Sequence, residues 1–214
     1  MFGNNPSHKS LMTETLAKAA EFAFLGAHTK ARRFTTSIQV RWNAPPDKWF
    51  KLNSDGSSMG NPGKAGGGGI ICDFKGDWVS GYARAIGFTT SVAAELWALW
   101  DGINLCIDLN LENVIIELDA KLLVDLLMKD ERNSNSNEVI IADCREGLKR
   151  ILSVKIQHCF REANKCADTL ARRGAVSPHD FVVFQFPPAN VTLLASLDAV
   201  GTLYERFCFF VSVS

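Results

Sequence analysis

With 214 residues, 47% of them hydrophobic, the chain is long enough for one ordinary domain with flanking arms and too apolar to be disordered. Its 23 lysines and arginines balance 23 aspartates and glutamates, so overall charge neither requires nor excludes a polyanionic partner. No apolar run is long enough to span a membrane. The start "MFGNNPSHKSLMTETLAKAAEF" lacks a signal-peptide core, and Glu14 and Glu21 argue against an organellar transit segment. Six scattered cysteines (Cys72, Cys106, Cys144, Cys159, Cys166, Cys208) have no paired or zinc-like spacing. They read as buried thiols of an intracellular protein, in the nucleus or cytoplasm.

Along the chain, residues 8–33 have the spacing of a helix (Leu11, Leu16, Ala19, Phe22, Phe24) that ends in the basic cluster Lys30, Arg32, Arg33. "NAPPD" marks a boundary at Pro45 and Pro46, which leaves 1–41 as a helical or linker arm, 42–190 as the main domain and 191–214 as a C-terminal extension. A strand over 48–55 alternates Phe50 and Leu52 with Lys51, Asn53 and Asp55, as if one face were buried and the other lined something wet. The glycines that follow do not make a phosphate-cradling loop: Lys64 precedes Ala65, and "GGGGIICDF" reads as a second strand, 68–75. A third strand, 77–85, follows the Lys75-Gly76-Asp77 turn.

"TTSVAAELWALWDGINLCIDL" is a helix, capped by Thr90 or Ser91, with a stripe of Leu96, Trp100, Ile103 and Ile107. "NVIIELDA" is a strand, 120–129 a helix, "KDERNSNSN" a polar loop and 137–151 a helix carrying Ile140, Cys144, Leu148 and Ile151. "SVKIQHCF" is a fifth strand, and a helix from Glu162 buries Ala163, Cys166, Ala167, Leu170 and Ala171. The order β-β-β-α-β-α-α-β-α implies an α/β fold, a mixed sheet with helices packed on both faces. From Ala175 the tail is less regular. "FPPANVTLLASLDAVG" suits an extended segment, and "TLYERFCFFVSVS" an edge strand or an aggregation-prone extension.

Four carboxylates stand at telling places. Asp55 and Asp119 end strands on their polar parity, and Glu95 and Asp168 flank the buried stripes of their helices. Each alone has a plainer meaning: Asp55 a turn former before Gly56, Glu95 a helix-start acid, Asp119 a cap for the next helix, and Asp168 a salt-bridge partner for Arg172. His158, mid-strand, reads as a packed or hydrogen-bonded histidine. If the first and fourth strands are neighbours, the four acids converge, and such a cluster is tolerable only with cations in it. Hard divalent ions with oxygen ligands, magnesium foremost, are its natural occupants, and a pair of them suits phosphodiester hydrolysis.

The segments "KLNSDGS…NPG…GGGIICDFKGDW", "SVAAELWALWDGI", "VIIELDAKLLVDLL" and "VKIQHCFREANKCADTLAR" resemble, in order and spacing, the ribonuclease H family. The resemblance is nearest its plant, reverse-transcriptase-like, retroelement-derived branch, whose domain opens with a phrase like Trp42 to Gly56. It covers 42–190 and implies a ribonuclease H-like fold with a five-stranded mixed sheet. It also implies two magnesium or manganese ions, a monomer, and hydrolysis of the RNA strand of an RNA–DNA hybrid. Matched position by position, the catalytic and metal-binding acids fall on Asp55, Glu95, Asp119 and Asp168, and an RNA-backbone contact on Asn61. Asp55, Glu95 and Asp119 would hold the ion that activates water, and Asp55 and Asp168 the ion at the leaving oxygen.

Departures from the family pattern are equally specific. "HCFREAN" leaves no room for a mobile histidine loop, so Arg161 or Lys165 would have to serve electrostatically against the nucleic acid. Ala120 stands where a hydroxyl is common, and "KDERNSNSN" replaces a basic handle, which predicts weak, salt-sensitive hybrid binding. The rival reading is a catalytically silent, retroelement-derived relic that binds nucleic acid. An exonuclease of this fold would want Asp-x-Glu on the first strand, and Asp55-Gly56-Ser57 does not supply it.

Overall fold

The structure, a computed structural model, describes residues 32–129 and 137–212. These fall into two compact units: Gln39–Tyr204, and a smaller one made of residues up to Ile38 and from Glu205 onward. The helix expected over 8–33 lies outside the described residues except at Arg32 and Arg33, which open a strand; 130–136 of the polar loop also lie outside.

In chain order the elements are β1 (Arg32–Val40), β2 (Phe50–Gly60), β3 (Gly63–Cys72), β4 (Trp78–Thr89) and α1 (Ser91–Asp108). Then come β5 (Asn113–Leu118), α2 (Lys121–Met128), α3 (Glu138–Lys149), β6 (Ser153–His158) and α4 (Lys165–Val176), the last entered through a 3-10 turn at Arg161–Ala163. β7 (Phe181–Phe184), α5 (Ala189–Ala199) and β8 (Tyr204–Ser212) complete the chain. Thr90 caps α1, its side chain accepting the Ala93 N–H at 3.3 Å.

The main sheet runs β6-β5-β2-β3-β4-β7, with β2, β5 and β6 parallel and the β2–β3, β3–β4 and β4–β7 pairs antiparallel. It therefore has six strands, not the five expected, though the mixed α/β class stands as predicted. The added strand, β7, pairs Phe181 to Phe184 with Arg84 to Gly81. Four residues are too few for an alternating pattern to stand out in the sequence. The parallel register of β2 on β5 runs from Phe50↔Val114 to Ser54↔Leu118. β2 continues to Gly60 rather than ending at Asp55, but Asp55 and Asp119 both come just after the last β2–β5 pair and so stand side by side.

One face of the sheet is packed by Leu52, Ile71, Val114, Ile116 and Leu118 against Leu96, Leu99 and Ile103 of α1, Leu123 of α2 and Ile141 of α3. The other carries Ile70 and Cys72 against Leu170 of α4, with Trp42 and Val191 closing the cluster. The glycine run serves this second packing, because a Cβ on Gly68 would meet the backbone of Leu170 and Ala171. α4 can lie this close to β3 only over a bare strand.

The polar parity of β2 is buried rather than wet, except where Asp55 borders a cleft. Lys51, Asn53 and Asp55 are 3%, 3% and 2% exposed. α4 and the 40–43 segment cover Lys51 and Asn53, which find their partners internally, whereas Asp55 stands at that cleft. Lys51 Nζ contacts Glu117 Oε1 and the Asn43 carbonyl, both at 2.6 Å. Asn53 accepts the Trp42 indole N–H at 2.8 Å and donates to Glu117 and Asn164 at 3.1 and 3.2 Å. Buried polar groups persist only when they are paired in this way.

The tail is also more regular than its sequence suggests. "ANVTLLASLDA" is a helix rather than an extended segment, anchored by fully buried Val191 while Leu193 faces solvent. Its apolar residues do not fall on one stripe, so the helical period is hidden. The β-prone end does have a partner: β8 forms a two-stranded sheet with β1.

Candidate active site

Asp55 follows the last β2 residue paired to β5, Asp119 follows the last residue of β5, and Glu95 sits in the second turn of α1. Each offers one carboxylate oxygen, and these three atoms lie within 4.8 Å of one another. Gly56 makes the approach possible: its N–H donates to Glu95 Oε2 at 3.0 Å, and a Cβ there would collide with the α1 backbone at Ala94 and Glu95. Asp55 Oδ2 is buried and has no hydrogen-bond partner.

This crowding shows in the protonation equilibria. Burial, then the charges of Glu95, Asp119 and Asp168, push Asp55 up to about 10, with Arg161 opposing. Burial and Asp119 push Glu95 up to about 8, against the Gly56 N–H and Arg161. Burial likewise raises Asp119, and Arg161 is the first influence pulling it back. Three carboxyls this close cannot all be ionised unless a further positive charge joins them.

The acids line an open cleft of about 490 Å³ with Ser57, Ser58, Ser91, Arg161, Asp168 and Arg172. Asp168 thus shares the cleft but is not one of the close triad. Its Oδ1 is 3.3 Å from Arg161 Nη2 and its Oδ2 is 3.0 Å from Arg172 Nε, the ion pair that its spacing to Arg172 suggested. Asn61, in the β2–β3 turn, accepts the Ser91 N–H at 3.2 Å and so sits beside the cleft's rim. Lys165 does not join the acids; its ammonium lies 3.4 Å from the ring centre of Tyr204. His158 ends β6, with Nε2 3.1 Å from the Asp119 carbonyl and its ring edge-on to Phe160.

Residues 53–174, more than half of the chain, match the family model for reverse transcriptase-like proteins. The chain belongs to that family. The reverse transcriptase-like chain is 31% identical over 167 residues to an Arabidopsis thaliana protein named "Putative ribonuclease H protein"; the match covers 78% of this chain and 27% of that one. The chain thus spans about a quarter of the length of the curated relative it matches. Among solved structures, RNase H1 of the halophilic archaeon Halobacterium salinarum is 26% identical, covering 59% of this chain and 96% of that one with a TM-score of 0.56. LC11-RNase H1, isolated from compost and crystallised with an RNA/DNA hybrid, is 25% identical over 59% of this chain and 96% of that one, with a TM-score of 0.54. The fold is that of ribonuclease H.

Sequence reading of the reverse transcriptase-like chain missed the cleft serines and the buried Lys51–Glu117 and Asn53–Asn164 links. One signal was available for the latter. Asn164 occupies the cap position of α4 yet makes no side-chain cap, because its carbonyl oxygen instead accepts from Asn53 at 3.2 Å while its NH2 donates to the Ser54 carbonyl at 3.1 Å.

Proposed function

We propose that the protein is a metal-dependent endonuclease that hydrolyses the RNA strand of RNA–DNA hybrids. The observation that carries this reading is Asp55, whose buried Oδ2 lacks a partner inside a triad of close carboxylates. An all-carboxylate donor set fits a hard divalent ion, magnesium or manganese. Asp55, Glu95 and Asp119 would hold one ion, and Asp55 with Asp168 a second. Bound there, such ions supply an activated water and stabilise the leaving 3′ oxygen.

The protein's own groups do the rest. Gly56 N–H fixes the Glu95 carboxylate, and β2–β5 pairing fixes the spacing of Asp55 and Asp119. Arg161 and Arg172 give an acid-lined cleft a cationic margin against phosphates. Asn61 spends its carbonyl oxygen on Ser91, so its NH2 is the group that would donate to an RNA oxygen. Lys165, turned to Tyr204, would add general positive charge rather than a direct contact. Five buried, free cysteines fit a reducing compartment, nucleus or cytoplasm, and we place the active protein there as a monomer. The likeness to LC11-RNase H1, solved with an RNA/DNA hybrid, supports the substrate class.

The test is cleavage of a hybrid labelled on either strand, in magnesium and with excess chelator, beside RNA and DNA duplexes. Magnesium-dependent cuts in the RNA of the hybrid alone are expected. Binding without cleavage in either metal would replace the enzyme with a silent hybrid-binding relic.

A further inference from the structure

Asp168 is set apart from the other three acids by what already holds it. Both of its carboxylate oxygens face guanidinium groups, Arg161 Nη2 at 3.3 Å and Arg172 Nε at 3.0 Å, whereas Asp55 Oδ2 faces none. The Asp168 side chain is 19% exposed and the two arginines are 67% and 61% exposed, so the carboxylate is seated while its partners stand on the solvent side. Both arginines line the same cleft as the triad. A guanidinium at each carboxylate oxygen already neutralises the acid and repels a second cation, so a metal ion reaching Asp168 competes with both arginines for its charge.

We propose that Arg161 and Arg172 form a clamp that competes with a divalent ion for Asp168, so that the acids bind cations in two unequal classes. The inference rests on reading these acids as a metal site. The triad takes the first ion, drawn by unbalanced negative charge. The second ion has to bind against two cationic side chains, each in a solvent-exposed pair that is weak singly and matters by being doubled. Arg173, on the same helix, is the natural control: its guanidinium lies near Asn190 and over Phe184, not on Asp168.

The experiment is a manganese titration of the full chain, with free ion followed by electron paramagnetic resonance. The parent is expected to show one tighter and one weaker class, with Asp55→Asn impairing both, since Asp55 serves both ions, and Asp168→Asn only the weaker. Arg161→Ala/Arg172→Ala should tighten the weaker class about tenfold, consistent with two surface pairs removed, and leave the tighter class within about threefold. Arg173→Ala should leave both classes unchanged. An unchanged weaker class in the double variant overturns the clamp, as does equal tightening by Arg173→Ala, which would be a bulk charge effect. If the parent binds no manganese, or Asp55→Asn binds it normally, the metal reading itself fails and the clamp with it.

Discussion

Asp55 combines a buried carboxylate oxygen without a partner and two acidic neighbours within ligand distance, an arrangement that costs the metal-free fold stability. Asp55→Asn keeps the shape and replaces a carboxyl that the metal-free fold must hold protonated. The metal-free variant should melt higher than the parent by roughly 2–4 °C, the equivalent of about 1 kcal/mol in a chain of this size. Magnesium should raise the melting point of the parent but not of the variant; scanning calorimetry with and without chelator reads both effects. A second residue-scale prediction concerns Asp101 of α1, which pairs with Arg84 at 2.6 Å. Burial, only partly offset by Arg84, pushes Asp101 up to about 6. Because the folded state then holds a proton that the unfolded chain has released, this group's contribution to stability falls as pH rises from about 4 to 6 and is flat above. Asp101→Asn should remove that slope, a difference of order 2–3 kcal/mol across the window, measured by urea unfolding at stepped pH. Parallel pH profiles for parent and variant would contradict it.

At the scale of elements, the parallel pairing of β2 on β5 sets two acids side by side, and α4 brings in the fourth acid through Asn164. That side chain, 1% exposed, accepts from Asn53 and donates to the Ser54 carbonyl, one residue before Asp55. Asn164→Ala removes one hydrogen bond from Asn53 and one from the Ser54 carbonyl in a dry interior and should cost about 2–3 kcal/mol in urea unfolding. A cost below about 0.5 kcal/mol would mean that water replaces the amide and the link does not hold α4. The elements that carry the acids were legible in the sequence because each has a strong local signal. β5 is a short apolar run with Val114, Ile116 and Leu118 on one parity, α1 has a hydroxyl cap and a long apolar stripe, and Asp55 ends an alternating run before glycine. The interior polar links were not legible. The parity of Lys51, Asn53 and Asp55 was readable, but only tertiary packing shows that α4 roofs this face and that Glu117 supplies the counter-charge.

For the molecule as a whole, the 42–190 stretch suggested by prolines and by resemblance is shorter than the compact unit Gln39–Tyr204. Val40 and Val191, 7% and 0% exposed, lie just beyond its two ends in the cluster that backs α4. A chain trimmed to 39–204 should melt cooperatively, and one trimmed to 42–190 at a temperature lower by roughly 5 °C or more, since losing a buried aliphatic side chain alone costs about 2 kcal/mol or more. Equal melting points would put the boundary at 42–190 after all. Neither β7 nor α5 could be read beforehand, the first being four residues long and the second having no apolar stripe; both are held by packing on neighbours rather than by local pattern. The site suffered less from this, because all four acids come from elements inside 42–190.

The central claim is that Asp55 is a metal ligand of a hybrid-cleaving nuclease. Its most direct test is single-turnover cleavage of an RNA–DNA hybrid in magnesium by the parent and by Asp55→Asn, with the fold of both checked by calorimetry. The parent should cut the RNA strand only when magnesium is present. The variant should be slower by at least about two orders of magnitude, since losing a metal ligand removes several kcal/mol of transition-state stabilisation. A folded variant that cleaves at more than a few per cent of the parent rate would contradict the account.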